Sequence, residues 1–243
     1  QQVHFFDATK VLRESSTIDI PQAGGTVTSL LAYSSWQHLA CGTTAGEIVL
    51  LDIHAKRILK LRKVSTSKII SIGRMNDETL VWIDEQGSIG IVTVDSDREA
   101  AEPWKSFQTG KILSAAFDPQ NKLFAFVTSK GVLESVDPIT KRRSLTENQS
   151  ATCAASIESG NIVVGTRNGT LQWLTRSGMR SLSTPSGANT IQRAVAAGAK
   201  SLAILNQNYD VWVWDYTSGA CTYYPLPDKS GADFHLSYND AGD

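Results

Sequence analysis

One seven-residue frame recurs along the chain. In "GEIVLLD" (Gly46 to Asp52) a small turn residue is followed by alternating apolar positions and closed by a polar residue. The same frame fits "QQVHFFD", "GSIGIVT", "GVLESVD", "GTLQWLT" and "YDVWVWD". Its closing residues Asp7, Asp52, Thr93, Asp137, Thr175 and Asp215 lie 45, 41, 44, 38 and 40 positions apart. A period of about 40 residues restricts a chain to arrays of one supersecondary unit, because each unit buries its apolar faces only against its neighbours.

The content of the unit follows from local chemistry. Three residues before each small turn residue stands another polar group: Thr43, Asp84, Thr128, Thr166 and Asn206. Such side chains hydrogen-bond nearby backbone amides, so the position keeps its chemistry while its identity varies. Upstream of each turn lies a short apolar run ("HLACG", "TLVWI", "LFAFV", "NIVVG", "SLAIL"), rich in β-branched and aromatic residues and too short for a helix. "TRNGTLQW" sets Asn-Gly between two such runs, a strong hairpin signal. A strand of small residues precedes each hairpin, as in "ILSAAF", "TCAASI" and "QRAVAAG". A more polar strand follows it: "KVLRES", "RILKLRK", "WKSFQ", "RRSLT", "MRSLS" and "CTYYPL". Four strands per period, graded from small and buried to polar and exposed, describe the blade of an all-β propeller.

On these residues the sequence resembles the WD40-repeat β-propellers. Trp214-Asp215 is the fullest copy of that family's motif, with Phe6-Asp7, Leu51-Asp52, Val136-Asp137, Val92-Thr93 and Leu174-Thr175 as weaker copies. The family's Gly-His pair, which joins Ser or Thr, Asp and Trp in a buried tetrad, is missing from the inter-blade segments "PQAGGT", "VSTSK", "QTGK", "NQS" and "SGANT". The expectation is therefore a divergent propeller whose blades hold by packing and backbone ladders, similar to those of large assemblies.

The frame predicts a single domain with complete blades at 26–63, 68–108, 111–146, 150–183 and 190–225. Residues 1–20 offer two outer strands and 232–238 an inner one. A closed ring leaves no large unpaired edge, so the two ends are expected to share a composite sixth blade. That blade still lacks one strand, either because the sequence is cut short or because a partner adds it. A seven-bladed ring truncated at its N-terminus is the alternative.

Several function classes lose support. No zinc-protease, nucleophile-elbow, phosphate-loop or dinucleotide motif occurs, and Thr109-Gly110-Lys111 lacks the rest of a phosphate loop. No catalytic residue, cofactor or metal site is expected, and four histidines, scattered at His4, His38, His54 and His235, argue against a transition-metal centre. Cys41, Cys153 and Cys221 are too far apart for a disulfide framework and are expected as small buried residues. The net charge of −1 gives no global attraction to nucleic acid or anionic lipid. The start lacks a signal-peptide order, and no apolar run reaches the roughly 20 residues of a bilayer span. An intracellular protein, cytoplasmic or nuclear, is expected.

What remains is surface. Lys56, Arg57, Lys60, Arg62, Lys63 and Lys68 follow one another with no acid between them. Two readings stand: a landing strip for phosphate or an acidic partner, or the cationic guard that edge strands use against aggregation. Trp36 falls in the first turn of its blade, while Tyr209 and Arg167 fall in turns on the opposite face. These residue types dominate binding hot spots, although Trp36 has an inward-capping reading as well. The sequence thus points to a non-catalytic scaffold for other protein subunits, with nucleic-acid or ribonucleoprotein binding as the second reading.

Overall fold

The computed structural model describes residues 2–7, 13–19, 25–33, 37–94, 103–105, 110–146, 150–157, 161–175, 178–182, 191–196, 201–206, 210–215 and 217–225. All its regular elements are strands. They fall into two compact units, residues 1–105 and 106–242.

The first unit opens with β1 (Gln2–Asp7) and β2 (Arg13–Asp19), an antiparallel pair. Two four-stranded antiparallel sheets follow. One runs β3 (Val27–Tyr33), β4 (His38–Thr43), β5 (Glu47–Asp52), β6 (Arg57–Lys63); the next runs β7 (Ile69–Asn76), β8 (Thr79–Asp84), β9 (Ser88–Thr93), β10 (Trp104–Lys105). In the second unit the sheets are β11 (Ile112–Asp118) to β14 (Arg143–Thr146) through β12 (Leu123–Thr128) and β13 (Leu133–Val136), then β15 (Ala151–Ile157), β16 (Asn161–Thr166), β17 (Leu171–Thr175), β18 (Gly178–Leu182). The last is β19 (Ile191–Ala196), β20 (Ser201–Asn206), β21 (Asp210–Asp215), β22 (Cys221–Pro225). Every sheet is ordered as in the chain, so each forms from local hairpins. Of "KVLRES" the structure describes Arg13 to Ser15, which lie in β2, and residues 10–12 and the inner strand proposed at 232–238 lie outside the described residues.

Within each unit core clusters lie between neighbouring sheets. Tyr33, Ala40, Ile48 and Leu50 of one sheet meet Ile69, Ile72, Leu80, Trp82 and Val92 of the next. Ala116, Ala125, Val127 and Leu133 meet Ala151, Ala154, Ile162 and Val164, while the opposite-facing Cys153, Ala155 and Val163 meet Leu202, Ile204 and Trp214. A strand such as β16 is thus buried on both faces, which is why "NIVVG" is a continuous apolar run rather than an alternating one. Trp214 owes its place to this inter-sheet packing.

The turn between the second and third strand is one structure repeated. Gly46, Gly87, Gly131 and Gly169 all have φ between 74° and 80°, where an L side chain is strained. Each glycine N–H donates to the carbonyl of Thr43, Asp84, Thr128 or Thr166, at 2.9 to 3.1 Å. The side chains close the turn, since Thr43, Asp84 and Thr166 accept from the amides of Glu47, Ser88 and Thr170.

The expectation of blades held only by packing and backbone ladders is corrected. Thr28 on β3 donates to the carbonyls of Gly42 and Ile69. Ser114 on β11 accepts from the Ala154 amide at 3.1 Å. In the segment "VSTSK", the Ser65 hydroxyl donates to the Asp84 carboxylate at 2.6 Å, a task the WD40 pattern gives to histidine. Each inner strand starts with a bulge, with register shifts across Thr28, Ile70, Leu113, Thr152 and Gln192, and at Thr28 the hydroxyl of the extra residue itself reaches the next sheet. A bulge bends the strand and re-aims the extra residue.

Candidate interaction surfaces

Among the described residues, the aspartate that closes the third-strand frame in three sheets builds the second recurrent turn. Asp52 accepts from the Ala55 amide, Asp137 from the amides of Ile139 and Thr140, and Asp215 from those of Thr217 and Ser218. Four residues beyond each aspartate the chain enters the left-handed region, at Lys56 (φ 50°), Lys141 (φ 59°) and Gly219 (φ 77°). The Thr217 hydroxyl and the Ser218 and Thr217 amides hold the Asp215 carboxyl down to about 2. The Ala55 amide lowers Asp52, assisted by nearby His38 and Arg57. At Asp137 burial pushes the carboxyl upward and is outweighed by the Thr140 hydroxyl and amide, so it too is lowered. This turn leads into the outermost strand.

Through that turn the basic strip reaches the surface. Lys56 occupies the left-handed position itself, and Arg57 to Lys63 form β6. Exposure alternates along β6: Arg57, Leu59, Leu61 and Lys63 are exposed, while Ile58, Lys60 and Arg62 are half-buried. Lys60 and Arg62 stand opposite Leu50 and Ile48, and Lys63 donates to the Ala45 carbonyl. Lys68 lies beyond the next turn, half-buried, its carbonyl accepting from the Glu85 amide at 2.8 Å. The structure thus brings five of the six cations to one turn and one edge strand and leaves Lys68 outside it.

Sequence reasoning had missed the apolar half of that strand. Leu59 and Leu61 are each 41% exposed. The signal lies in the alternation of Leu59 and Leu61 with the charged residues around them.

Arg167 is exposed at the second–third turn of its blade, with its amide donating to the Ser150 carbonyl at 2.7 Å. Thr44, Glu85 and Ser129 make the same bond to Thr26, Lys68 and Lys111, so these four residues occupy equivalent positions in their sheets. Trp36 and Tyr209 lie outside the described residues. Cys41 and Cys153 are buried, and burial pushes the Cys41 thiol up to about 12. Cys221 corrects the expectation: it is exposed, because it sits on the outermost strand β22 rather than in an inter-sheet cluster. Among the described residues no group of three His, Cys, Asp or Glu side chains is placed to hold a metal, and no helix is long and apolar enough to cross a membrane.

Sheets of four strands in chain order, with the first turn repeated in four of them and the second in three among the described residues, define a divergent WD40-like β-propeller. Residues 56–217 match the family model of the NUP159/214 beta propeller, and the chain belongs to that family. No curated protein matches it. The matched span contains the basic strip, Arg167 and Tyr209, but not Trp36.

Proposed function

We propose that the protein is a non-catalytic propeller subunit of a nucleoporin-type assembly, acting at the nuclear pore as a platform for other protein subunits. The observation that carries this reading is membership of the NUP159/214 beta-propeller family. The repeated turns support the platform role: Thr44, Glu85, Ser129 and Arg167 are each presented on a hydrogen-bonded frame whose shape is fixed before a partner arrives. A surface ordered in advance loses little conformational entropy on binding. Within this reading Arg167 and Tyr209 are contact residues on one loop face and Trp36 on the opposite one, and residues 1–20 with 232–238 make a composite blade open to a partner's strand. Imaging of the tagged full-length protein, with crosslinking, tests it. Concentration at the nuclear rim and crosslinks to other pore subunits are expected; a diffuse distribution with no such crosslinks contradicts it.

The strip at Lys56, Arg57, Lys60, Arg62, Lys63 and Lys68 sustains a second reading, association with nucleic acid. Binding to single-stranded RNA across a salt series, with the lysines changed to glutamate, tests that reading directly. A negligible affinity unchanged by the substitutions removes it.

A further inference from the structure

The outermost strands of the five sheets differ in a way that matters. An edge strand exposes a row of backbone N–H and C=O groups, and proteins blunt such edges by shortening them, adding proline or placing charge on them. Strand β22 ends on such a proline, Pro225. Strand β6 has 7 residues, no proline, and among the described residues no strand on its outer side. It also carries two of the five exposed large apolar side chains among the described residues, Leu59 and Leu61. A purely protective edge has no use for exposed leucines, which favour the sheet-to-sheet pairing that the charges oppose.

We propose that β6 is a docking edge for an extended segment of a partner protein in which acidic and apolar residues alternate. The inference rests on the scaffold reading and names the chemistry of one partner segment. Strand addition supplies backbone hydrogen bonds along β6, and alternate side chains of the incoming segment read the surface. Leu59 and Leu61 offer the apolar contacts. Arg57 and Lys63, the exposed cations flanking them, select acidic neighbours. Glu47 and Asp52 stand opposite Lys63 and Arg57 on β5, but Lys56, Lys60 and Arg62 keep the strip positive in sign. An apolar partner strand without acids brings no compensating charge to this edge, and a nucleic acid makes no use of the two leucines. The bulge at Leu59, where the β5–β6 register shifts, displaces one residue of the edge and so helps fix the register of the incoming strand.

The test uses the whole protein and a fluorescent peptide alternating glutamate with valine. Its controls are the same peptide with lysine for glutamate, and oligo-uridine. Anisotropy reads affinity and hydrogen exchange reads protection of the β6 amides. The glutamate peptide is expected to bind, to protect β6, and to weaken with added salt. L59K/L61K, which raises the positive charge while removing the apolar contact, is expected to lose about tenfold in affinity or more. Arg57→Glu is expected to lose affinity with a shallower salt dependence. Both alter exposed side chains, and an unchanged melting temperature establishes their folding. Equal binding of the lysine peptide, full binding by L59K/L61K, or protection of β6 by oligo-uridine but not by the peptide overturns the proposal. Failure at the nuclear rim with peptide binding intact tells against the pore assignment alone; the converse tells against the docking edge alone.

Discussion

The Thr28 hydroxyl lies 2.5 Å from the carbonyl oxygen of Ile69, tying the inner strand of one sheet to the inner strand of the next. Thr28 is buried, and the same hydroxyl reaches the Gly42 carbonyl at 3.2 Å. Replacing it with valine keeps the shape and leaves two buried acceptors without this donor. Thr28→Val is expected to lower stability by about 1–2 kcal/mol in urea unfolding. A change within a few tenths of a kcal/mol contradicts a structural role for this bond.

Gly46 and Gly219 share a left-handed backbone but differ in surroundings. A Cβ at Gly46 collides with the Ser65 carbonyl, whereas one at Gly219 meets nothing within 4 Å. Gly219→Ala therefore suffers only the backbone penalty, about 1 kcal/mol, and Gly46→Ala is expected to be clearly worse. Comparable losses for the two variants contradict the tight packing assigned to the first turn.

Lys141 occupies the same turn position as Gly219, at φ 59°. Lys141→Gly removes the strain of a side chain there, offset in part by a more flexible unfolded chain. A gain of about 0.5–1 kcal/mol in chemical denaturation is expected. Destabilisation instead argues that the lysine side chain contributes a contact that outweighs the strain.

Asp215 predicts an acid response. Its folded value, about 2, lies below the ordinary value of 3.8, so its contribution is present above that ordinary value and is lost as pH falls toward 2. Asp215→Asn is expected to flatten the loss of stability across this window while leaving the neutral-pH fold in place. An acid-unfolding profile identical to the wild type contradicts the account of this turn.

The side chain of Glu134 is 3% exposed and faces Arg143 at 3.9 Å. Burial raises its carboxyl and the arginine only partly offsets this. A raised carboxylate costs stability as pH climbs through its folded value, the reverse of Asp215. Glu134→Gln is expected to stabilise the protein near neutral pH by about 1 kcal/mol and to leave acidic stability nearly unchanged. Loss of stability at neutral pH shows that the pair with Arg143 outweighs desolvation.

What was legible in the sequence was what local chemistry writes there. Thr43, Asp84 and Thr166 announce their turns because their side chains bond amides four residues on, whereas Thr128 keeps only the backbone bonds of the turn and its buried hydroxyl has no partner among the described residues. The inner-strand bulges left no common mark: Thr28 and Thr152 are alike, each donating to a glycine carbonyl, but Ile70, Leu113 and Gln192 stand at the same place in their strands. The ties from Thr28, Ser65 and Ser114 were hidden for a related reason, because their partners belong to distant backbone or to another hairpin. At β6 the charges were visible, but the exposure of Leu59 and Leu61 depends on the strand being the last in its sheet.

The measurement that bears most directly on the whole account is an experimental structure of the purified protein at side-chain resolution. The prediction is that Asp52, Thr93, Asp137, Thr175 and Asp215 occupy equivalent places around a common axis, each at the end of the third strand of a four-stranded sheet. Sheets stacked face to face without that axis, or aspartates and threonines at unrelated positions, contradict it.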